Sequence, residues 1–253
     1  MRALITNDDG VESPGIEELA AVAAECDLEV VVAAPAWDAS GASASLTAVQ
    51  REGQLCLERR TLPRLPDVVV YAVEAAPAFI VRAAAAGAFG PPPDLVLSGI
   101  NNGANTGHAI LHSGTVGAAL TAATFGLRGL AVSIGAAPEP HWATAGAYAR
   151  IVLDWLVADG RSAVISVNVP NLPAADVQGF ESARLAAFGA VQTNVTESGE
   201  GYVKLAYDEV AADFEPGTDA AALRDGRACF TPLIGVCEGS FEVPAGGRVE
   251  HAR

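Results

Sequence analysis

Short apolar runs alternate along the first two thirds of the chain with segments whose apolar residues recur at helical spacing. Ala3–Thr6 is a short apolar run that predicts a strand, and Gly15–Glu25 carries Ile16, Leu19, Ala20 and Ala23 on one helical face. Leu28–Ala34 is continuously apolar and ends at Pro35, the pattern of a strand buried on both faces. A Ser/Gly/Ala loop follows, then a polar stretch with Arg51, Glu52, Arg59 and Arg60 that reads as an excursion from the sheet. Val68–Val73 predicts the return to the sheet, Ala78–Ala86 a helix ended by Gly87, and Leu95–Ser98 another buried strand. The Gly/Asn-rich stretch Gly99–Gly114 predicts a long loop, followed by a helix from Thr115 to about Phe125. Leu130–Ile134 and Ala163–Val169 read as strands around a helix over Trp142–Val157. From about Asn171 to Glu215 the pattern weakens to short strands and loops, before a small helix at Thr218–Gly226 and a late strand at Ala228–Leu233.

Strand and helix alternation of this kind predicts an α/β fold with a parallel sheet and crossover helices. No repeat and no linker divides the chain. The expectation is one domain over residues 1–253, with a core of about 1–170 and a β-rich C-terminal extension of about 171–253. The core must be built mainly from Ala, Val and Leu, because hydrophobic residues make up 51% of the chain and aromatics only 6%.

Charge narrows the function classes. The formal net charge is −15, with Lys204 as the single lysine, which argues against general nucleic-acid binding because that needs a basic surface. An anionic substrate would have to be attracted locally, by a divalent cation or by helix N-termini. The four cysteines, Cys26, Cys56, Cys229 and Cys237, show neither metal-ligand spacing nor a disulfide framework, so reduced thiols and a cytoplasmic location are expected. Met1-Arg2 leads directly into the first strand without a signal-peptide pattern. The Ala-rich run Ala83–Ala88 reads as helix rather than as a membrane span.

Polar clusters fall repeatedly at the carboxyl ends of the expected strands, where open parallel sheets bind ligands. Asn7-Asp8-Asp9-Gly10 follows the first strand, Asp38-Ala39-Ser40-Gly41-Ala42-Ser43 the second, and Ser98-Gly99-Ile100-Asn101-Asn102-Gly103-Ala104-Asn105 the strand at Leu95. Adjacent carboxylates at a strand end repel unless hydrated or bridged by a cation, and oxygen ligands suit Mg²⁺, Mn²⁺ or Ca²⁺. Asn101 and Ser40 could add neutral oxygens. The alternative is that Asp8 opens a turn and Asp9 caps a helix. His112-Ser113-Gly114-Thr115 precedes a helix and either offers backbone N–H groups to a phosphate or simply caps the first turn. His108 and His112 are candidate proton donors. Neither Gly-x-Gly-x-x-Gly nor a Walker-type Gly-Lys-Ser/Thr is present, and Asp8 does not open the Asp-x-Asp spacing of haloacid-dehalogenase-type phosphatases.

Taken in order, these segments, with Ser113-Gly114-Thr115-Val116-Gly117-Ala118-Ala119, Asn168-Val169-Pro170, Thr218-Asp219 and Thr231-Pro232-Leu233, resemble the SurE family of 5′/3′-nucleotidases across nearly the whole chain. The resemblance implies a Rossmann-like three-layer core, a C-terminal extension used for oligomerisation, and homodimers or homotetramers. It implies one divalent metal ion per subunit, Mg²⁺ or Mn²⁺ with Ca²⁺ as a further option, on Asp8, Asp9, Ser40 and Asn101. The implied reaction is phosphomonoester hydrolysis of nucleoside monophosphates by a metal-activated water. The expected catalytic residues are Asp8, Asp9, Asn101 and Ser113. The expected phosphate-binding residues are Asn7, Gly41, Asn105, Ser113, Gly114 and Thr115. The chain departs from the family pattern at Pro35-Ala36-Trp37-Asp38-Ala39, which lacks the usual Arg before Ser40. It also has Asn102 in place of an Arg, Ala75-Ala76-Pro77 in place of Gly-Thr-Pro, and no acidic pair near His108. Those departures keep two alternatives open: a phosphatase of another small phosphorylated metabolite, and a catalytically silent metal- or ligand-binding oligomer.

Overall fold

A computed structural model describes residues 1–160, 163–188, 191–209 and 214–238. The chain begins with β1 (Arg2–Thr6), α1 (Pro14–Glu25) and β2 (Glu29–Pro35). A small hairpin, β3 (Gln50–Arg51) and β4 (Gln54–Leu55), precedes β5 (Leu57–Leu62), β6 (Leu65–Val73) and α2 (Pro77–Ala85). Next come β7 (Leu95–Asn102), a 3-10 turn at Gly107–His112, α3 (Gly114–Ala123), β8 (Arg128–Ile134), α4 (Trp142–Asp159) and β9 (Val164–Val169). The C-terminal part adds β10 (Phe180–Ser182), β11 (Val191–Gly199), β12 (Tyr202–Glu209), α5 (Asp219–Arg224) and β13 (Ala228–Leu233).

Nine strands form one sheet in the order β10-β13-β9-β8-β7-β1-β2-β6-β5. From β9 to β6 every neighbour is parallel, so the predicted α/β class holds, although the whole sheet is mixed. β5 runs antiparallel to β6 and β13 antiparallel to β9. Counted in chain order, the parallel strands lie 3-2-1-4-5-6 across the sheet, the doubly wound order. One apolar layer gathers α1 and α4 against the sheet through Ile16, Leu19, Val152 and Leu153. The opposite layer packs α2 and α3 through Ile80, Val81, Ala118 and Ala122. All four of the helices concerned bury many alanines, and the small side chains let helix and sheet approach closely without aromatic filler.

Two expectations change. The polar stretch through Arg59 and Arg60 is not an excursion, because β5 is an edge strand of the main sheet. Its exposed Glu58 and Arg59 suit an edge, where charges discourage pairing with another chain, and Arg59 also lies 4.5 Å over the Tyr71 ring. The predicted loop at Gly99 is partly strand. β7 continues to Asn102 through a bulge after Ser98, and Asn101 and Asn102 pair again with Ser133 and Ile134. Gly99, at φ 130°, supplies the backbone conformation that the bulge requires.

All four cysteines are free, and burial pushes the Cys229 thiol up to about 12. Among the described residues no helix is long and apolar enough to cross a membrane.

Candidate functional site

The strand order reverses direction between β1 and β7, and adjacent chain crossings diverge there to leave a crevice at the carboxyl edge. Register pairs Thr6 with Ser98, so Asn7-Asp8-Asp9 and the bulged end of β7 emerge side by side. The N-terminus of α3 closes this crevice from one side. The loop after β2 closes it from another, because the Ala39 N–H donates to the Asp8 carbonyl at 2.7 Å.

Asp8 is 3% exposed, and its carboxylate sits against the first turn of α3. The Gly114 N–H donates to Oδ2 at 3.0 Å, and the Thr115 hydroxyl donates to Oδ1. Burial raises the Asp8 pKa, and these donors pull the other way by favouring the charged form. The helix dipole acts in the same sense as the donors. Gly114 is required for this approach: a Cβ there would lie 2.7 Å from the Asp8 Cβ and 2.8 Å from Oδ2. A Gly114→Ala variant is therefore expected to push the carboxylate aside and lower the kcat/KM of any reaction that uses Asp8 by about 10²-fold. Its melting temperature should fall far less than a broken core would require, because Ala suits a helix. Steady-state kinetics beside thermal melting of the same preparation checks both.

Asp9 accepts the Asn102 N–H at 3.4 Å on Oδ2. Its carboxyl is raised to about 6, first by burial and next by the neighbouring Asp8 charge, with Asp38 adding a smaller push. The two adjacent carboxylates thus form a crowded, partly desolvated negative site. Below it, Asn7 is wholly buried; its amide donates to the Gly10 carbonyl at 2.9 Å, and its Oδ1 has no partner. The nearby Ser98 Oγ is likewise buried without a partner. Asn101 commits its amide nitrogen to the Gly103 carbonyl at 2.7 Å, which leaves the amide oxygen as its ligand atom. Ser40 donates from Oγ to Asp38 Oδ1 at 2.5 Å, at the exposed rim.

Oxygen atoms of Asp8, Asp9, Asn101 and Ser40 are the ones that could hold a metal. No group of three or more His, Cys, Asp or Glu suited to a metal occurs among the described residues. Two carboxylates with neutral oxygens and no nitrogen or sulfur favour a hard divalent cation. Such a cation fits, because it would compensate two acids whose charged forms burial and mutual repulsion disfavour.

The remaining predicted residues occupy varied places. Ser113 caps α3, accepting the Val116 N–H at 3.1 Å on Oγ, so its hydroxyl proton stays available to an anion. Gly114 and Thr115 are turned to Asp8. Asn105 donates from Nδ2 to Ser133 Oγ at 2.8 Å and is clasped by Asn168, which takes its N–H at 2.9 Å and returns a bond to its carbonyl at 2.8 Å. Gly41, at φ 78°, turns the exposed loop after β2. His108 and His112 are exposed on the 3-10 turn. Asn102 bonds to Ala137 at both ends of its amide, at 3.0 and 3.1 Å, and so pins the loop after β8.

Sequence reasoning missed Thr115 as a partner of Asp8, and Asp38 as a third acid near Asp9. It named Asp219 only within a matching segment and gave it no role, whereas Asp219 is wholly buried, accepts the N–H groups of Gly107, Ala186 and Ala220 and so ties α5 to the approach to α3. An Asp following a helix-capping Thr was the available signal for the last of these.

The family model described as Survival protein SurE matches residues 3–190. The chain belongs to the SurE family. A relative from Stenotrophomonas maltophilia, strain R551-3, named 5'-nucleotidase SurE, is 40% identical over 242 residues, covering 92% of this chain and 89% of its own. Another of the same name from Alkalilimnicola ehrlichii is 37% identical over 238 residues, with 92% and 89% covered. The crystal structure of the SurE protein from Aquifex aeolicus superposes with a TM-score of 0.73 at 30% identity, covering 92% of this chain and 93% of that one. SurE-family membership thus extends over the β1–β7 crevice and through most of the C-terminal part.

Proposed function

We propose that this SurE-family chain is a divalent-cation-dependent phosphomonoesterase acting on nucleoside monophosphates. The observation that carries the reading is the Asp8–Asp9 pair at the switch point, with Asp8 fixed by the Gly114 N–H and the Thr115 hydroxyl. Relatives named 5'-nucleotidase SurE support the substrate class. Asp8, Asp9, Asn101 and Ser40 hold one Mg²⁺ or Mn²⁺ per subunit, with Ca²⁺ a further option. When bound, the cation supplies Lewis-acid polarisation of phosphate and acidification of water. Asn7 shapes the turn that carries the pair, and Gly41 lets the rim loop approach. Asn105, held by Ser133 and Asn168, keeps the Gly-rich loop in place beside the phosphate. Gly114 and Thr115 act on the phosphate through Asp8, while the Ser113 hydroxyl donates to a phosphate oxygen directly. The chain acts in the cytoplasm as a homodimer or homotetramer and takes neither nucleic acid nor membrane as a partner. It works as one unit whose extension beyond about residue 170 serves assembly. The β11–β12 hairpin, whose strands pair only with each other among the described residues and expose Val195 and Val203, favours that assembly role.

The test is phosphate release from nucleoside monophosphates, sugar phosphates and polyphosphate with Mg²⁺, Mn²⁺, Ca²⁺ or EDTA. Release from nucleoside monophosphates that stops in EDTA and returns with excess cation is expected. Release that persists in EDTA overturns the cation, and release confined to other esters overturns the nucleotide.

Cation binding should also depend on pH. Asp9 titrates near 6 when folded and at 3.8 when unperturbed, so between those values the folded chain holds a proton that the unfolded chain releases. Without cation, stability is expected to decline as pH rises through this window and to level off above about 6. Cation affinity runs the opposite way, weakening about tenfold per pH unit below the Asp9 pKa as protons compete. Thermal melts at pH 5 and 7.5, with and without Mn²⁺, check this, and Asp9→Asn should flatten the cation-free profile.

A further inference from the structure

A cleft of about 410 Å³ opens beside Ser40 and Gly41, on the rim of the cation site. Trp37, Ser45, Thr47 and Ala76 complete its principal walls, and no residue lining it carries a charge. Its volume lies in the range of small-molecule sites. Trp37 is 40% exposed, which leaves a large apolar surface in water at a place where hiding it would be favourable. That exposure is not the result of a loose loop. The Ala36 N–H donates to the Val73 carbonyl at 2.9 Å and the Ala39 N–H to the Asp8 carbonyl at 2.7 Å, so backbone bonds hold the residues on both sides of Trp37. The Trp37 carbonyl also packs against Gly10, where a Cβ would lie 3.1 Å away. The Trp37 backbone is therefore fixed against the turn that carries Asp8 and Asp9, and its side chain lines the neighbouring cleft. Ser45 and Thr47, whose hydroxyls share a hydrogen bond of 2.7 Å, add polar groups to the same cleft.

We propose that Trp37 determines specificity by stacking against the uncharged ring of the ester's leaving group, the base of a nucleoside monophosphate. The proposal rests on the phosphomonoesterase reading above and names where the non-reacting part of that substrate lies. Flat rings stack on indole with an affinity that tolerates base identity, so Trp37 selects for a ring rather than for one base. The Ser45 and Thr47 hydroxyls supply hydrogen bonds at the ring's edge or to the ribose. Asp38 follows Trp37 and Asp9 lies near Asp38, so the local field disfavours a leaving group with further negative charge.

The experiment compares wild type, Trp37→Ala and Trp37→Phe with Mn²⁺ on purine nucleoside monophosphates and on glycerol 2-phosphate, which has no ring. Expected for Trp37→Ala is a KM for the nucleotides raised about tenfold, a kcat within about threefold, and unchanged glycerol 2-phosphate kinetics. Trp37→Phe should recover much of the loss because it keeps a stacking face. Equal losses on both substrates would assign Trp37 a purely structural role and overturn the proposal, as would no change on either. If the wild type releases phosphate from no ester, the phosphomonoesterase reading fails and the stacking claim is decided separately. In that case quenching of indole fluorescence by AMP that disappears in Trp37→Phe sustains it, and absence of such quenching overturns it.

Discussion

Replacing Asp8 with asparagine is expected to lower cation-dependent phosphate release by about 10³-fold or more, while the protein stays folded. The geometry makes this substitution unusually clean. An asparagine carbonyl oxygen can still accept the Gly114 N–H that now reaches Oδ2 at 3.0 Å. Its amide nitrogen can then donate to the Thr115 oxygen, reversing the bond that the hydroxyl now gives to Oδ1. What disappears is the negative charge. Because burial raises the Asp8 pKa, removing that charge relieves a desolvation cost, and the cation-free variant should melt at the wild-type temperature or slightly above it. Loss of activity with undiminished thermal stability separates a ligand role from a structural one. The added stabilisation that Mn²⁺ gives the wild type should vanish as well, since binding to the folded state alone raises stability by mass action. Activity within tenfold of wild type would remove Asp8 from the cation site. Asp9→Asn should cost activity similarly, and without cation above about pH 6 it should melt higher than wild type, because it removes a charge that burial and Asp8 disfavour.

Asp219→Ala is expected to destabilise the fold by about 3–5 kcal/mol, since three backbone donors to a buried carboxylate lose their acceptor together. Those donors are Gly107 at 2.8 Å, Ala186 at 2.9 Å and Ala220 at 2.8 Å, and Asp219 itself is wholly buried. For a chain of this size the melting temperature should fall by roughly 10 °C. Asp219→Asn keeps one acceptor oxygen but places an amide N–H₂ against a backbone N–H, so an intermediate loss is expected. Denaturant unfolding of both variants, with hydrogen exchange at the Gly107 and Ala186 amides, measures the effect. A loss below about 1 kcal/mol for Asp219→Ala would show that the junction relaxes and that the buried acid does not clamp it.

Much of the core was legible because strand and helix periods are local properties. The apolar run Leu28–Ala34 and the face formed by Ile16, Leu19, Ala20 and Ala23 needed only neighbours in the chain to declare β2 and α1. The strand at Leu95 was legible up to Ser98, where Gly99 obscured the rest, because a bulge breaks the alternation that announces a strand. β5 was misread for a related reason. An edge strand keeps most of its side chains in water, so Glu58, Arg59 and Arg60 look like loop.

For the site, the sequence by itself determined which residues stand at strand ends: Asp8 and Asp9, Ser40, Asn101, and Ser113 at a helix start. Polar residues after buried apolar runs emerge at one edge of a parallel sheet whatever the strand order, so their chemistry could be listed before their neighbours were known. Only the tertiary structure decided that β7 lies against β1 and brings its bulged end, with Asn102, against Asp9, and that β13 returns to pair with β9. It also decided what Gly114 and Thr115 do. From sequence they present donors to a phosphate; in the fold they give them to Asp8, 106 and 107 residues away. A hydrogen-bond partner at that separation is chosen by how layers pack, and no periodicity along the chain records it.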